Sequence, residues 1–328
     1  MTRIALDAMG GDFAPEVPVA GAVEALHELP SSCELILVGR ATDIESVLEK
    51  QTAPRDRLSI VDAPETVRMG EKPLASVRGK RKSSIRVGLE LQKRGEADAF
   101  ISAGNTGAVM AASTLLLGLH SGIRRPAIAT VLPGVARPVL LLDAGANVDC
   151  SARELRGFAH IGSVYARDVM GRDRPNVGLL NIGEEEEKGS QVVREAFELL
   201  TEDSGINFAG NVEGRDVLHG DCDVVVCDGF VGNVLLKFGE SAGRAFTEML
   251  RKELDPEVMV SPGMRRVLGV LDYSETGGAP LLGVKGISVI CHGRSSARAI
   301  KNAILVALRA AESKVSKDIG ADLARGVA

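Results

Sequence analysis

Three glycine-rich turns carry residues able to do chemistry: Asp7-Ala-Met-Gly-Gly-Asp12, Ser102-Ala-Gly-Asn-Thr-Gly107 and Asp228-Gly-Phe-Val-Gly-Asn233. Each follows an apolar run and leads into a segment of helical pattern. A strand that ends in such a turn and starts a helix aims bare backbone N–H groups at one spot, an arrangement that binds anions. Glycine also simply lets a chain turn tightly, so one turn says little. Three at the same kind of junction point to phosphate or a phosphorylated group. Lys188 adds a cation in Asn181-Ile-Gly-Glu-Glu-Glu-Glu-Lys-Gly189, directly before a helix that starts at Ser190. A lysine there opposes the helix dipole. Helix stability does not explain it, whereas reach toward a backbone-held anion does. The four glutamates before it also read as a favourable charge at a helix start.

The other polar candidates collect where apolar runs end. Asp7, Gly10, Gly11 and Asp12 follow the first run, and Ser102, Gly104, Asn105, Thr106 and Gly107 close another. Asp143 and Asn147 follow Val139–Leu142, Asp228 and Asn233 follow Val224–Cys227, and His292 follows Ile287–Cys291. Ligands of open α/β sheets sit outside the carboxyl ends of the strands, so these residues are expected to face one crevice. An Asp or Asn at a helix start is also a good cap, and that role competes with ligand binding at each position. A zinc site needs clustered Cys or His; of five cysteines only Cys222 and Cys227 stand close, so no metal is expected.

The elements that must position these residues alternate. Strand-like runs occur at Ile4–Ala8, Leu35–Gly39, Leu58–Ala63, Ala99–Ser102, Ala127–Leu132, Val139–Leu142, Val177–Ile182, Asn207–Gly210, Val224–Cys227 and Ile287–Cys291. Several are continuously apolar, as strands buried on both faces are. Between most lie helical patterns. Gln191–Leu200 puts Val192, Val193, Ala196, Leu199 and Leu200 on one face, and Ser295 caps a helix whose inner face carries Ile300, Ile304, Ala307 and Ala311. The alternation predicts an α/β fold with helices on both faces of a mostly parallel sheet. Pro133–Pro138 is too short for a helical crossover, so Ala127–Leu132 and Val139–Leu142 form a hairpin and the sheet is mixed. No linker interrupts residues 1–328, which read as one domain with a helical pair protruding at about 240–271.

Composition narrows the function. Aromatic residues make up 3% of the chain, with no Trp and two Tyr, which argues against base stacking on an exposed sheet. The net charge, 39 minus 44 or −5, argues further against nucleic acid. The odd cysteine count without CxxC spacing fits free thiols in a reducing compartment. Met1-Thr-Arg-Ile-Ala-Leu-Asp7 reads as a strand rather than a signal peptide. No window reaches the ~18 apolar residues of a spanning helix. A cytoplasmic protein is expected, with any membrane contact peripheral.

Five motifs resemble the bacterial phosphate acyltransferase family PlsX. They are Asp7–Glu16, Ile101–Met110, Asn181–Gly189, Val226–Lys237 and Asp272–Gly283, in order along nearly the whole chain. The resemblance implies the reaction of acyl-acyl carrier protein (acyl-ACP) with phosphate to give acyl phosphate and ACP, a step feeding phospholipid synthesis. It further implies a three-layer α/β/α fold related to isocitrate dehydrogenase and phosphotransacetylase, a homodimer and no organic cofactor. Peripheral contact with the inner face of the cell membrane, and with the downstream glycerol-3-phosphate acyltransferase, goes with that family role. Lys188 and Asn233 fall on positions that the family is thought to use at its active site. His292-Gly-Arg-Ser-Ser296 departs from the family's small residue after His-Gly, which leaves the effect of Arg294 open. The alternatives are a phosphotransacetylase acting on acyl-CoA and a metal-dependent dehydrogenase of the same fold, in which Asp143 and Asp228 would hold the metal.

Two surfaces belong with the acyl-ACP reading. Residues 68–94 hold nine basic side chains (Arg68, Lys72, Arg78, Lys80, Arg81, Lys82, Arg86, Lys93 and Arg94) against Glu71 and Glu90. That excess suits an acidic carrier protein, and it also suits a solvated helix face. Between 240 and 271, Phe246, Met249, Leu250, Leu254, Met259, Val260, Met264, Val267, Leu268, Val270 and Leu271 stand beside Arg265 and Arg266. Apolar side chains next to arginines suit a bilayer surface or a dimer interface.

Overall fold

The computed structural model describes residues 1–52, 54–271 and 277–326, without the side chains of residues 270, 271 and 324–326. Where the sequence reads as one domain, the chain's contacts fall into two compact units. Unit 1 comprises Met1–Ile128, Arg167–Gly171 and Gly277–Ala328; unit 2 comprises Ala129–Ala166 and Arg172–Thr276. No composition shift marks the first crossing, because the chain passes between units inside a strand.

Unit 1 begins β1 (Thr2–Asp7), α1 (Glu16–Leu26), β2 (Cys33–Gly39), α2 (Ala41–Leu48) and β3 (Leu58–Asp62). It continues α3 (Pro73–Gly79), α4 (Ser84–Lys93), β4 (Ala99–Ser102), α5 (Thr106–Leu116) and β5 (Ala127–Leu132). Unit 2 holds β6 (Val139–Leu142), α6 (Ala152–Asp168), β7 (Val177–Asn181), α7 (Gln191–Thr201), β8 (Phe208–Glu213) and β9 (Val224–Val226). It ends with α8 (Gly229–Glu253), α9 (Pro256–Met259) and α10 (Pro262–Leu271). The return to unit 1 supplies β10 (Ala279–Leu282), β11 (Ser288–Ile290), α11 (Ala297–Ser313) and α12 (Val315–Gly326).

The strand order in unit 1 is β3-β2-β1-β4-β11-β10-β5, parallel from β3 to β11 and antiparallel on both sides of β10. In unit 2 it is β5-β6-β9-β7-β8, antiparallel only in the expected β5–β6 hairpin. Strand β5 serves both units: Ala127 and Ile128 pair with β10, and Ala129–Leu132 pair with β6. The mixed, mostly parallel sheet is therefore as the sequence predicts.

Strand alternation explains the continuous apolar runs. Ile4, Leu6, Leu35, Leu37, Ala99 and Ile101 join Val19, Ala22 and Leu26 of α1 and Ile300, Ala303 and Ile304 of α11 in one buried cluster. Phe100 points to the opposite face and packs on Gly88 of α4. Each unit 1 strand at this level thus buries both faces. In unit 2, α6 lies on the sheet through Gly162, where a Cβ would come within 2.8 Å of Val224 Cγ1.

Three details differ from the sequence reading. Strand β10 was unexpected; Pro280 and the flanking Gly277, Gly278 and Gly283, all at positive φ, disguise it as a turn. Ser296, not Ser295, caps α11, its hydroxyl accepting from Ala299 N at 3.1 Å. The turn between the two helices of residues 240–271 contains the short helix α9. The first residues of the Asp272–Gly283 motif, 272–276, lie outside the described residues.

Candidate active site

In unit 1, β1, β4 and β11 are neighbours and parallel, so their C-terminal turns emerge side by side. Asp7 is buried. Its Oδ2 accepts from Ser102 Oγ at 2.6 Å and its Oδ1 from Met9 N at 3.0 Å, while Ser102 Oγ accepts from Gly104 N at 3.0 Å. This bridge ties the first two glycine turns together. A Cβ on Gly10 would lie 2.7 Å from both Asp7 Oδ2 and Gly104 N, so only glycine fits there. Burial pushes the Asp7 carboxyl up from its ordinary value, against the hydrogen bonds it accepts. The turn after β11 joins them through Asp12 N, which donates to Gly293 O at 2.7 Å. Asp12 and His292 are exposed, and His292 Nδ1 accepts from Arg294 N at 3.2 Å.

Asn105 has a structural job at both ends of its amide. Its Oδ1 accepts from Ala108 N at 3.0 Å, capping α5, and its Nδ2 donates to Met69 O at 2.8 Å and to the Arg68 and Glu71 carbonyls at 3.3 Å. The side chain expected to touch substrate is therefore already committed. Thr106 is exposed on the first turn of α5, and Gly107 lets α5 approach Pro73 of α3.

In unit 2, β6, β9 and β7 are likewise parallel neighbours. Asp143 is fully buried and accepts from Gly145 N at 3.0 Å, Ala146 N at 2.9 Å, Asn147 N at 2.7 Å and Asn147 Nδ2 at 2.9 Å. It takes up the N–H groups of its own turn. Burial raises its pKa, opposed by those same bonds. Asn147 O accepts from Gly229 N at 2.7 Å, locking this turn to the start of α8. Asp228 caps α8 through Oδ1, which accepts from Val231 N at 2.8 Å. Asp143 is thus held within its own turn, and one oxygen of Asp228 by the start of α8. Among the described residues no group of three or more His, Cys, Asp or Glu side chains is placed to hold a metal ion.

Lys188 and Asn233 differ from these. Both side chains are exposed, and neither makes an ion pair or hydrogen bond among the described residues. Lys188 is placed by its backbone: Asn181 Nδ2 donates to its carbonyl at 3.1 Å. Gly189 at φ +90° completes the bend, and the lysine stem runs over Gly183. Asn233 lies over Gly145, whose added Cβ would meet its Cβ at 3.4 Å. The four glutamates 184–187 are exposed in the loop before α7, outside its first turn, so a dipole role does not account for them.

The described contacts thus assemble the candidates as two groups. Asp7, Gly10, Gly11, Asp12, Ser102, Gly104 and His292 meet in unit 1, and Asp143, Asn147, Asp228, Asn233 and Lys188 stand on neighbouring strand ends in unit 2. Sequence reasoning missed a cavity of about 650 Å³ in unit 1, lined by Met9, Gly11, Ala14, Arg40, Pro64, Thr66, Arg68, Glu71 and Lys80. Its only sequence signal was the basic excess after residue 68. Three cations of that excess are paired: Lys80 with Glu71, Arg86 with Glu90 at 2.8 Å, and Arg94 with Glu96 at 2.6 Å. All five cysteines are free thiols, as expected. Burial pushes Cys33 and Cys222 up to about 11 and Cys150 and Cys291 up to about 12, with Cys227 also raised. None supplies a thiolate at neutral pH. No described helix is long and apolar enough to cross a membrane.

The family described as "Fatty acid synthesis protein" matches residues 2–318. A phosphate acyltransferase from Heliobacterium modesticaldum is 52% identical over 313 residues, covering 93% of this chain and 92% of that protein. One from Nostoc sp. is 48% identical over 326 residues, covering 97% of this chain and 95% of that protein. Among solved structures, a phosphotransacetylase from Streptococcus pyogenes matches with a TM-score of 0.66 at 16% identity, covering 95% of this chain and 94% of that one. EutD phosphotransacetylase from Staphylococcus aureus matches with a TM-score of 0.63 at 17% identity over the same shares. These last two establish the fold.

Proposed function

Because the chain belongs to the fatty acid synthesis protein family, we propose that it is a phosphate acyltransferase, converting acyl-ACP and inorganic phosphate to acyl phosphate and free ACP. The observation that carries this is 52% identity to a phosphate acyltransferase across nearly the whole of both chains. The chemistry needs little from the protein. Phosphate is an anionic nucleophile at neutral pH, so no Ser, Cys or His nucleophile is required. A phosphate oxygen attacks the thioester carbon, the carbonyl becomes an oxyanion, and the C–S bond then breaks to release the carrier thiolate. Holding the two reactants in line supplies ~7–11 kcal/mol of the barrier.

Lys188 and Asn233 have the roles that their free polar groups suit. The ammonium of Lys188 holds the phosphate, and the amide of Asn233 donates to the oxyanion. In unit 1 the side-chain-free backbone at Gly10, Gly11 and Gly104 lets a phosphorylated group come close to the bridged turns. Attack is direct, without an acyl-enzyme, in keeping with thiols that burial pushes up from their ordinary value. The test is to feed acyl-ACP and follow free carrier thiol together with a hydroxylamine-reactive acyl product. Both must appear only when phosphate is supplied; thiol release without phosphate refutes the reading.

The same reading assigns surfaces. Exposed Arg78, Arg81 and Lys82 make the docking face for the acidic carrier; Lys80 is excluded by its pairing with Glu71. Val231, Val234, Phe238 and Met249 form an exposed stripe at helical spacing on α8, which suits a homodimer. Val258, Val260 and Val267, exposed beside Arg265 and Arg266, suit peripheral contact with the inner face of the cell membrane. There the product would pass to a glycerol-3-phosphate acyltransferase.

A further inference from the structure

The unit 1 cavity has features that the reaction so far leaves unused. Its volume, about 650 Å³, falls in the range of sites for extended organic ligands and far exceeds the needs of a five-atom inorganic anion. One side is the turn after β1 (Met9, Gly11 and Ala14), the other the segment Pro64–Lys80 together with Arg40. Its cations are not equivalent. Arg40 is paired with Asp43 at 2.6 Å. Lys80 is held by Glu71 and by the Thr66 carbonyl at 2.8 Å. Arg68 makes no ion pair among the described residues; its backbone is fixed by Glu71, which accepts from its N–H at 3.1 Å, and by Asn105. Glu71 balances Lys80, so the lining offers one uncommitted guanidinium beside apolar Met9, Ala14 and Pro64 and the Thr66 hydroxyl.

We infer that this cavity takes the phosphopantetheine arm of the carrier protein, with Arg68 binding its phosphodiester. The inference rests on the acyl-ACP reading above. One singly charged phosphodiester matches one free guanidinium, and the arm's methyl groups and amides match the mixed lining. The cavity borders the bridged glycine turns of unit 1 through Met9 and Gly11.

The test compares wild type with Arg68→Ala, both full-length, on acyl-phosphopantetheine and on acyl-pantetheine, which lacks the phosphate. Wild type should show a KM about tenfold or more lower for the phosphorylated fragment, the value of one hydrogen bond to a charged group. Arg68→Ala should erase that preference and leave the KM for inorganic phosphate unchanged. An unchanged preference overturns the proposal. A raised KM for inorganic phosphate instead assigns the cavity to the other anion and overturns it too. Calorimetric titration with 4′-phosphopantetheine and with pantetheine, read on both proteins, needs no turnover. It judges the cavity even if wild type fails to make acyl phosphate: equal binding of the two probes by wild type refutes the assignment.

Discussion

At the scale of single residues, the division between working and structural polar groups lies in the partners each side chain has. Spacing made Asp143, Asn105, Asp228 and Asn233 look alike. Asp143 turns out to accept four hydrogen bonds and Asp228 to cap α8, whereas Lys188 and Asn233 keep their polar ends free of described partners. A sequence displays which residues follow a strand, but not which nearby N–H claims a carboxylate. That is why the caps were foreseeable only as competitors to a ligand role. Asn233→Ala should lower kcat about 10²–10³-fold, the cost of one oxyanion donor. Lys188→Ala should raise the KM for phosphate. Steady-state kinetics on variants with wild-type circular dichroism checks both, and wild-type constants would remove these residues from the mechanism.

At the scale of elements, most of the fold was legible because buried parallel strands write themselves as apolar runs. All ten predicted strands are present within a few residues of their expected ends. Strand β10 was not, since Pro280 breaks the strand pattern while tertiary pairing with β11 and β5 overrides it. The α11 cap was placed one residue early because consecutive serines carry the same signal, and only backbone geometry selects between them. Ser296→Ala should cost ~1 kcal/mol of stability, as a lost N-cap does. Ser295→Ala should stay within about 0.5 kcal/mol of wild type. Urea denaturation of the two variants separates them, and equal midpoints would contradict the assigned cap.

At the scale of the whole molecule, two compact units went unread because the chain crosses between them within β5, where no linker composition appears. The apolar side chains beside Arg265 and Arg266 were legible as a surface feature in part: Val260 and Val267 are exposed, whereas Met259, Met264 and Leu268 are half-buried. Val267→Glu together with Leu268→Glu should weaken co-flotation with anionic liposomes while leaving turnover of acyl-ACP intact. Equal flotation would remove the membrane from this face. Each of these roles depends on phosphate itself being the nucleophile. The most direct measurement mixes the enzyme with acyl-ACP, quenches, and reads the intact protein mass and the acyl product with and without phosphate. Unmodified enzyme throughout, with acyl phosphate only in the presence of phosphate, is the expected result. An acyl adduct on the protein, formed when phosphate is withheld, would contradict it.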